Sequence, residues 1–272
     1  MKKILVVGNA KKQTTASLME SCAKYLESKG IKHTEVYFSQ KEISRPKWEE
    51  KADMAIVFGG DGTILNACRH LLDADIPVMG VNVGHLGYLA AAEPETCIQN
   101  LQRVLDGDYF IEERVTLVAE LNGEKYIGIN EAVLDRGSAP HLININVEVN
   151  GQEIYKVRAD GIMVATPTGS TAYNLSAGGP VMVPNAKSLV ITPICAHSLA
   201  ARPIVVADND VVTLTVAGKS EEPKLSMDGI RVDVEKIDKM TVKVGEKTFK
   251  LIRTGENKFF TTLRKKLSGQ DR

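Results

Sequence analysis

The sequence predicts two domains. The first is an α/β domain, Rossmann-like with a doubly wound parallel sheet; the second is a mostly antiparallel, sandwich-like β domain. Three observations carry this. Apolar strand-like runs alternate with helical patterns over residues 1–113. From residue 114 the pattern changes to two-residue alternation punctuated by turn signals. The glycine-rich stretch "VFGGDGTILN" (57–66) falls between a strand and a helix, where sheets of the first kind bind ligands.

The elements follow in order. Ile4–Val7 is a short apolar run closed by Gly8 and reads as a first buried strand. The opening "MKKILVVGNAKKQ" lacks the longer apolar core and small-residue cleavage site of a signal peptide. "TTASLMESCAKYLESKG" has Leu18, Cys22, Tyr25 and Leu26 at helical spacing. Thr14 or Thr15 suits its N-cap and Gly30 its C′ position. "HTEVYF" is a short strand, and "MAIVF" (54–58) a continuous buried one. A helix is expected from about Thr63 to Leu72, then a strand over 77–82. "PETCIQNLQRVLDG" reads as a helix with Pro94 near its start and Gly107 past its end.

In the second part, "HLININVEVNGQEIYKV" places Ile143, Ile145, Val147 and Val149 on one face, with Asn144, Asn146 and Glu148 on the other. Asn150-Gly151 is a two-residue hairpin signal. "IVVADNDVVTLTVAG", "KLSMDGIRVDV" and "MTVKVGEKTFKLIR" add further strands. The expected division is 1–113 and 114–254. The basic amphipathic tail at about 255–272, "FFTTLRKKL", is expected as a helix packed back on the first domain.

The chain has 272 residues, 43% hydrophobic and 25% charged, with 34 basic and 34 acidic side chains. This is ordinary for a globular protein. The zero formal charge argues against bulk electrostatic binding to nucleic acid or an acidic membrane surface. No apolar run approaches the length of a membrane span, so a cytoplasmic protein is expected. Cys22, Cys68, Cys97 and Cys195 form no C-x-x-C pair, which suggests neither a zinc site nor a redox motif.

Three stretches could carry chemistry. In Gly59-Gly60-Asp61-Gly62-Thr63, glycines after a strand can bring backbone N–H groups close to phosphates. A carboxylate there should repel a phosphate, so the stretch is either a plain strand-to-helix turn with Asp61 or Thr63 as helix cap, or a site with Asp61 as a reacting group. "ADGIMVATPTGSTAYNLSAGGP" (159–180) gathers hydroxyls and glycines around Tyr173 and Asn174. It reads as a long exposed β loop able to hydrogen-bond a ribose or a base. In "GINEAVLDR", Asn130 and Glu131 sit in an otherwise apolar run and need protein or ligand partners.

Together these stretches resemble the ATP- or polyphosphate-dependent NAD kinases over nearly the whole chain. GGDGT, the Asn-Glu pair, Asp160-Gly161, "TPTGSTAYNLSAGGP" and "TPICAHSLAARPIVV" occur in that family's order and spacing. TPTGSTAY is the discriminating stretch, because GGDG is shared with phosphofructokinases and with diacylglycerol and sphingosine kinases. The resemblance implies that Asp61 is the catalytic base, with Gly62 against the dinucleotide and Gly59, Gly60, Gly62 and Thr63 near the donor's phosphates. It implies that Asn130 and Glu131 hold the adenosine part. Thr168 and the run Thr171, Ala172, Tyr173, Asn174, Leu175 and Ser176 would line the adenine and ribose pocket. Asp160 would bind the nicotinamide end, with Arg158 nearby. His141 matches a histidine contact of part of the family, and Cys195 occupies a position near the nicotinamide. Ala196 stands where proline is common. Asp228-Gly229 lies near another family contact and is also a good hairpin turn.

On this reading the acceptor is the adenosine ribose 2′-hydroxyl of NAD. Asp61 orients it and accepts its proton, while a divalent cation, Mg²⁺, offsets repulsion from the donor's phosphates. No metal fixed by the protein is expected. His85 and Arg69, near the GGDG turn in sequence, are candidates for phosphate contact, with surface or capping roles as the commoner alternative. The family also implies a homodimer or homotetramer with shared sites. Two rivals remain at this stage: a diacylglycerol-type lipid kinase, which shares GGDGT, and a non-catalytic NAD(H) sensor. Residues alone leave open ATP against polyphosphate, the use of NADH, the oligomer size and regulation.

Overall fold

A computed structural model describes residues 1–9, 13–37, 51–84, 87–198, 200–218, 222–256 and 259–269. Phe38, His85 and Leu199, which entered the readings above, lie outside the described residues. The chain divides into two compact units, Met1–Glu113 with Phe249–Arg272, and Arg114–Thr248.

The first unit holds β1 (Lys3–Gly8), α1 (Gln13–Ser28), β2 (Lys32–Tyr37), β3 (Met54–Gly59), α2 (Asp61–Leu71), β4 (Val78–Asn82) and α3 (Cys97–Leu105). β1 pairs in parallel with β2 and β3, and β3 with β4. The order β2-β1-β3-β4 reverses direction at β1, so the crevice beyond its carboxyl end and that of β3 is the topological switch point. Met54–Phe58 is buried without alternation, as expected for a parallel strand covered on both faces. The core gathers Ile4, Val6, Met19, Leu26, Ile56, Phe58, Met79 and Leu101.

α2 begins at Asp61, two residues before the expected start, with Gly60 as N-cap. Pro94 opens a 3-10 turn, Pro94–Thr96, ahead of α3. α1 starts at Gln13, so Thr14 and Thr15 lie inside the helix.

The second unit follows β5 (Phe110–Leu121), a strand that begins in the first unit. It contains β6 (Glu124–Gly128), β7 (Glu131–Asp135), β8 (Ile143–Val149), β9 (Gln152–Ala159), β10 (Gly161–Ala165), the short α4 (Tyr173–Ser176), β11 (Ser188–Ile194), β12 (Ile204–Ala207), β13 (Val212–Ala217), β14 (Lys224–Met227) and β15 (Ile230–Arg231). β16 (Lys239–Arg253) begins against β13 and ends in the first unit beside β4. One sheet contains β13-β8-β9; the other has the order β12-β11-β10-β7-β14-β15, all antiparallel. Leu134, Ile143, Val147, Ile162, Leu189, Ile191 and Leu214, drawn from both sheets, form the layer between them. This is the sandwich that the alternating sequence calls for.

The hairpin turn at Asn150-Gly151 has both residues in the left-handed region, with φ 52° and 77°. Phe259–Leu267 forms α5, and Phe259 meets the ring of Tyr88 at 5.8 Å between centroids.

Candidate active site

In the first unit the site grows from the β3–α2 junction. Gly59 is required by packing: a Cβ there would sit 2.5 Å from the Thr63 Cβ. Thr63 and Ile64 donate their amides to Gly60 O at 2.9 and 3.1 Å, which closes the first turn of α2. A Cβ on Gly60 or Gly62 would meet nothing within 4 Å. Among the described residues no folding contact explains those two glycines, and the space they leave open is at a helix N-terminus, where anions are favoured.

Asp61 makes no cap. Its carboxylate turns to the segment after β4 and accepts the Tyr88 amide at 2.8 Å and the Leu89 amide at 3.0 Å. A Cβ on Gly87 would collide with that carboxylate, so the segment can come this close only with glycine there. Each Asp61 oxygen accepts one amide and retains a further lone pair. The opposite side of the segment is held by Arg253, which donates to Tyr88 O (3.1 Å), Leu89 O (3.0 Å) and Ala90 O (2.8 Å) and pairs with the buried Glu112 at 3.1 Å. Arg69 lies two turns along α2 from Asp61, roughly 12 Å at 1.5 Å per residue. There its charge complements the helix C-terminus.

In the second unit the Asn-Glu pair is a corner between β6 and β7, with Glu131 as the first strand residue and buried. Asp228 fixes it. The Asp228 carboxylate accepts the amides of Ile129 (2.9 and 3.0 Å), Asn130 (2.6 Å) and Glu131 (3.0 Å). Thr166 fixes the carbonyl side: its hydroxyl donates to Ile129 O at 2.6 Å and its amide to Asn130 O at 2.8 Å. A Cβ on Gly169 would run into the Asn130 backbone. Asp228-Gly229 is the expected hairpin turn, with φ 49° and 75°, and its side chain reaches a second element as well.

The 159–180 stretch differs from the exposed loop that the sequence suggests. Gly161–Ala165 is the buried strand β10, and Thr166, Thr168 and Ser170 are buried too. The hydroxyls explain the difference, because each finds a backbone or side-chain partner inside the fold. Ser170 donates to Pro167 O at 2.6 Å and accepts the Met182 amide at 3.0 Å, and Thr168 accepts from Arg114 at 3.2 Å. The Asn174 amide group binds Ser170 O and Pro180 O, and its oxygen accepts from Thr192 at 2.6 Å. Thr171 and Ala172 are half-buried; Tyr173, Leu175 and Ser176 are exposed.

Burial first, then the charges of Cys195, Asp135, Asp160 and Glu131, push the Tyr173 phenol upward, so these groups lie within electrostatic reach of it. Cys195 is exposed, with φ 47°. Asp160 is held by Arg136 at 2.6 Å. Arg158 is exposed and borders an open groove of ≈ 500 Å³ with Asn144, Asn146, Lys156 and Thr215. His141 is exposed just before β8.

Sequence reasoning did not single out Arg253, Glu112, Arg136 or Arg114, nor the amides at 88–89. The alternation of Glu112 and Arg114 inside "FIEERVTL" was the available signal for two of them.

A parallel α/β unit with an acidic residue among open glycines, joined to a β-sandwich unit, defines a phosphotransferase of the GGDG class. Residues 9–109 match the ATP-NAD kinase N-terminal domain and residues 129–254 the ATP-NAD kinase C-terminal domain. A Clostridium botulinum NAD kinase is 35% identical over 277 residues, covering 100% of this chain and 98% of that protein. A Carboxydothermus hydrogenoformans NAD kinase is 39% identical over 229 residues, 82% of each. The chain belongs to the NAD kinase family, phosphotransferases that make NADP from NAD.

Two solved structures share the fold. Yeast NADH kinase complexed with NADH has a TM-score of 0.87 at 22% identity, covering 100% of this chain and 89% of that one. An Archaeoglobus fulgidus NAD kinase in complex with ATP has a TM-score of 0.78 at 24% identity, covering 98% of each.

Proposed function

We propose that Asp61 is the base that takes the proton from the adenosine ribose 2′-hydroxyl of NAD as a phosphoryl group arrives from ATP. The observation that carries this is the Asp61 carboxylate, pinned by two amides and absent from the helix cap, beside two glycines whose Cβ space is open. A cap alone needs neither feature. Asn130 and Glu131 hold the adenosine part, and their rigid corner means that little order has to be gained on binding. The Thr171–Ser176 turn borders the adenine and ribose, Thr168 supports it, and Asp160 accepts a hydrogen bond from the nicotinamide end beside Tyr173 and Cys195. Arg158 and His141 are assigned to the dinucleotide by family resemblance.

The donor's phosphates lie against the α2 N-terminus. Mg²⁺ keeps several waters and binds through one or two carboxylates plus substrate phosphates. Among the described residues no group of three His, Cys, Asp or Glu side chains is placed to hold a metal. A cation carried in by ATP needs no such group, and it would neutralise charge on the transferring phosphoryl group.

The first unit carries Asp61 and the glycines assigned to the donor, and the second carries Asn130, Glu131, Asp160 and the Thr171–Ser176 turn assigned to NAD. We further propose a homodimer or homotetramer acting in the cytoplasm. The burial of 161–170 removes one argument for the oligomer, since that stretch is already covered within its own unit; family resemblance remains. Among the described residues no helix is long and apolar enough to cross a membrane.

The test is a coupled assay of NADP formation with NAD or NADH as acceptor and ATP or polyphosphate as donor, run beside Asp61→Asn. Turnover by Asp61→Asn within threefold of wild type would overturn the assignment of the base. Light scattering that shows a fully active monomer would overturn the oligomer.

A further inference from the structure

We infer that Arg253, with Glu112 behind it, is a positioning residue for Asp61, acting through the Tyr88–Leu89 peptide group; this rests on the reading of Asp61 as the base. The relay is short. The carbonyl of Tyr88 accepts from Arg253 Nη2 at 3.1 Å, and the amide of Leu89, in the same peptide group, donates to Asp61 Oδ1 at 3.0 Å. A cation and a carboxylate thus sit at the two ends of one peptide dipole, each on the side it favours. Hydrogen bonds in such a chain polarise one another.

Three further bonds fix the peptide against rotation. Arg253 Nη1 donates to Leu89 O at 3.0 Å and Ala90 O at 2.8 Å, while the Tyr88 amide donates to Asp61 Oδ2 at 2.8 Å. Ala91 and Ala92 donate to Gly80 O at 2.8 and 3.2 Å, which anchors the far end of the segment to β4. The segment cannot move without breaking bonds on both faces. Glu112 orients the guanidinium at 3.1 Å, and both side chains are nearly buried, 13% exposed for Arg253 and 9% for Glu112.

A planar guanidinium can hold three successive carbonyls and a carboxylate at once, whereas a lysine ammonium is a single point donor. A general base must lie within hydrogen-bond reach of its proton, and a misplacement of about 1 Å can cost about 10²-fold in rate. The geometry therefore assigns Arg253 an effect on turnover and not on NAD affinity.

The experiment compares Arg253→Lys, Glu112→Gln and Asp61→Asn in the NADP-formation assay, with melting temperature and NAD affinity measured on each. For Arg253→Lys, kcat should fall about 10- to 100-fold, with the NAD KM within about threefold. For Glu112→Gln, where the guanidinium stays, the fall should be smaller. Guanidinium ion added to Arg253→Ala should recover part of the lost kcat.

An Arg253→Lys enzyme that melts earlier but turns over normally per folded molecule would reduce the pair to a structural cross-link. Loss of NAD affinity with kcat unchanged would also overturn the inference. If Arg253→Lys fails to fold, the kcat of Glu112→Gln decides on the same terms. Near-normal turnover by Asp61→Asn would sink the base assignment instead. A dead Asp61→Asn beside a normal Arg253→Lys would sink the positioning role alone.

Discussion

Asp228→Asn isolates what one carboxylate does for the Asn130–Glu131 corner. Asparagine tolerates the left-handed conformation at least as readily as aspartate, so the turn at φ 49° should survive. The substitution keeps an acceptor oxygen and removes the charge that three amides share at 2.6–3.0 Å. A hydrogen bond to a charged group contributes about 1.5–3 kcal/mol and a neutral one about 0.5–1.5, a loss of about 1 kcal/mol per amide. Asp228 is half-buried, so solvent screening brings the total below that sum, to about 2 kcal/mol. If all of it fell on NAD binding, affinity would drop about 30-fold at 1.36 kcal/mol per decade. Part will fall on the fold, so the expected result is a rise of about tenfold in the NAD dissociation constant. The melting temperature should fall by a few degrees, and kcat should stay within about threefold. Calorimetry with NAD, steady-state kinetics and a thermal melt read the three quantities. A lower melting temperature with unchanged NAD affinity would show that the clamp serves folding alone. No change in either would refute the reasoning about the shared carboxylate.

Four further outcomes are expected. Asp61→Asn should lower kcat by about 10² to 10⁴ with NAD affinity by calorimetry nearly unchanged, because asparagine still offers an oxygen to the ribose hydroxyl. Gly62→Ala should leave the melting temperature level or slightly raised, since alanine favours a helix by up to about 1 kcal/mol, yet lower the rate with ATP; an unaffected rate would return Gly62 to a purely local role. A thiol reagent should label Cys195 readily in the native protein and Cys22, Cys68 and Cys97 only on unfolding, and saturating NAD should slow the first reaction. Burial pushes the Cys22 thiol to about 12 and the Cys97 thiol to about 11, from an ordinary 9.0. Their contribution to stability is therefore full below about pH 9 and lost as pH rises through 9 to 12; urea midpoints at pH 8 and 10.5 should show a shallower decline in Cys22→Ala than in wild type.

Local signals in the chain reveal local structure, and the sequence was readable to that extent. Asn150-Gly151, the apolar run 54–58 and the alternation at 143–149 each name their element without help from distant residues. α2 starts two residues before the expected Thr63 because the residues that hold Asp61 lie beyond the turn that a capping rule covers. The partners of Asp61 are 27 and 28 residues on. The same distance effect hid Arg253, which meets its carbonyls across 163–165 residues, and the second role of Asp228, whose three amides lie 97–99 residues back. The TPTGSTAY stretch misled in the other direction. Its hydroxyls look exposed by type, and only the folded backbone shows that they are mostly occupied inward.

The glycines separate these two kinds of information. Gly59, Gly87 and Gly169 are each explained by a named neighbour: Thr63, the Asp61 carboxylate and the Asn130 backbone. A side chain at any of them would force apart groups that the site needs together, so their role is assembly. Among the described residues Gly60 and Gly62 have no such neighbour. Gly60 has φ −82° and ψ 179°, an extended conformation open to any residue, so neither strain nor contact with a described residue requires glycine there. On the proposed reading, the reason for glycine is the approach of a bound phosphate, close enough that a methyl group would be in its way. The first turn of a helix favours an anion, and the proposal sets that anion beside Asp61 as proton acceptor. Such a neighbour is compatible with Asp61, because the carboxylate's charge is already answered by two amides, with Arg253 behind them.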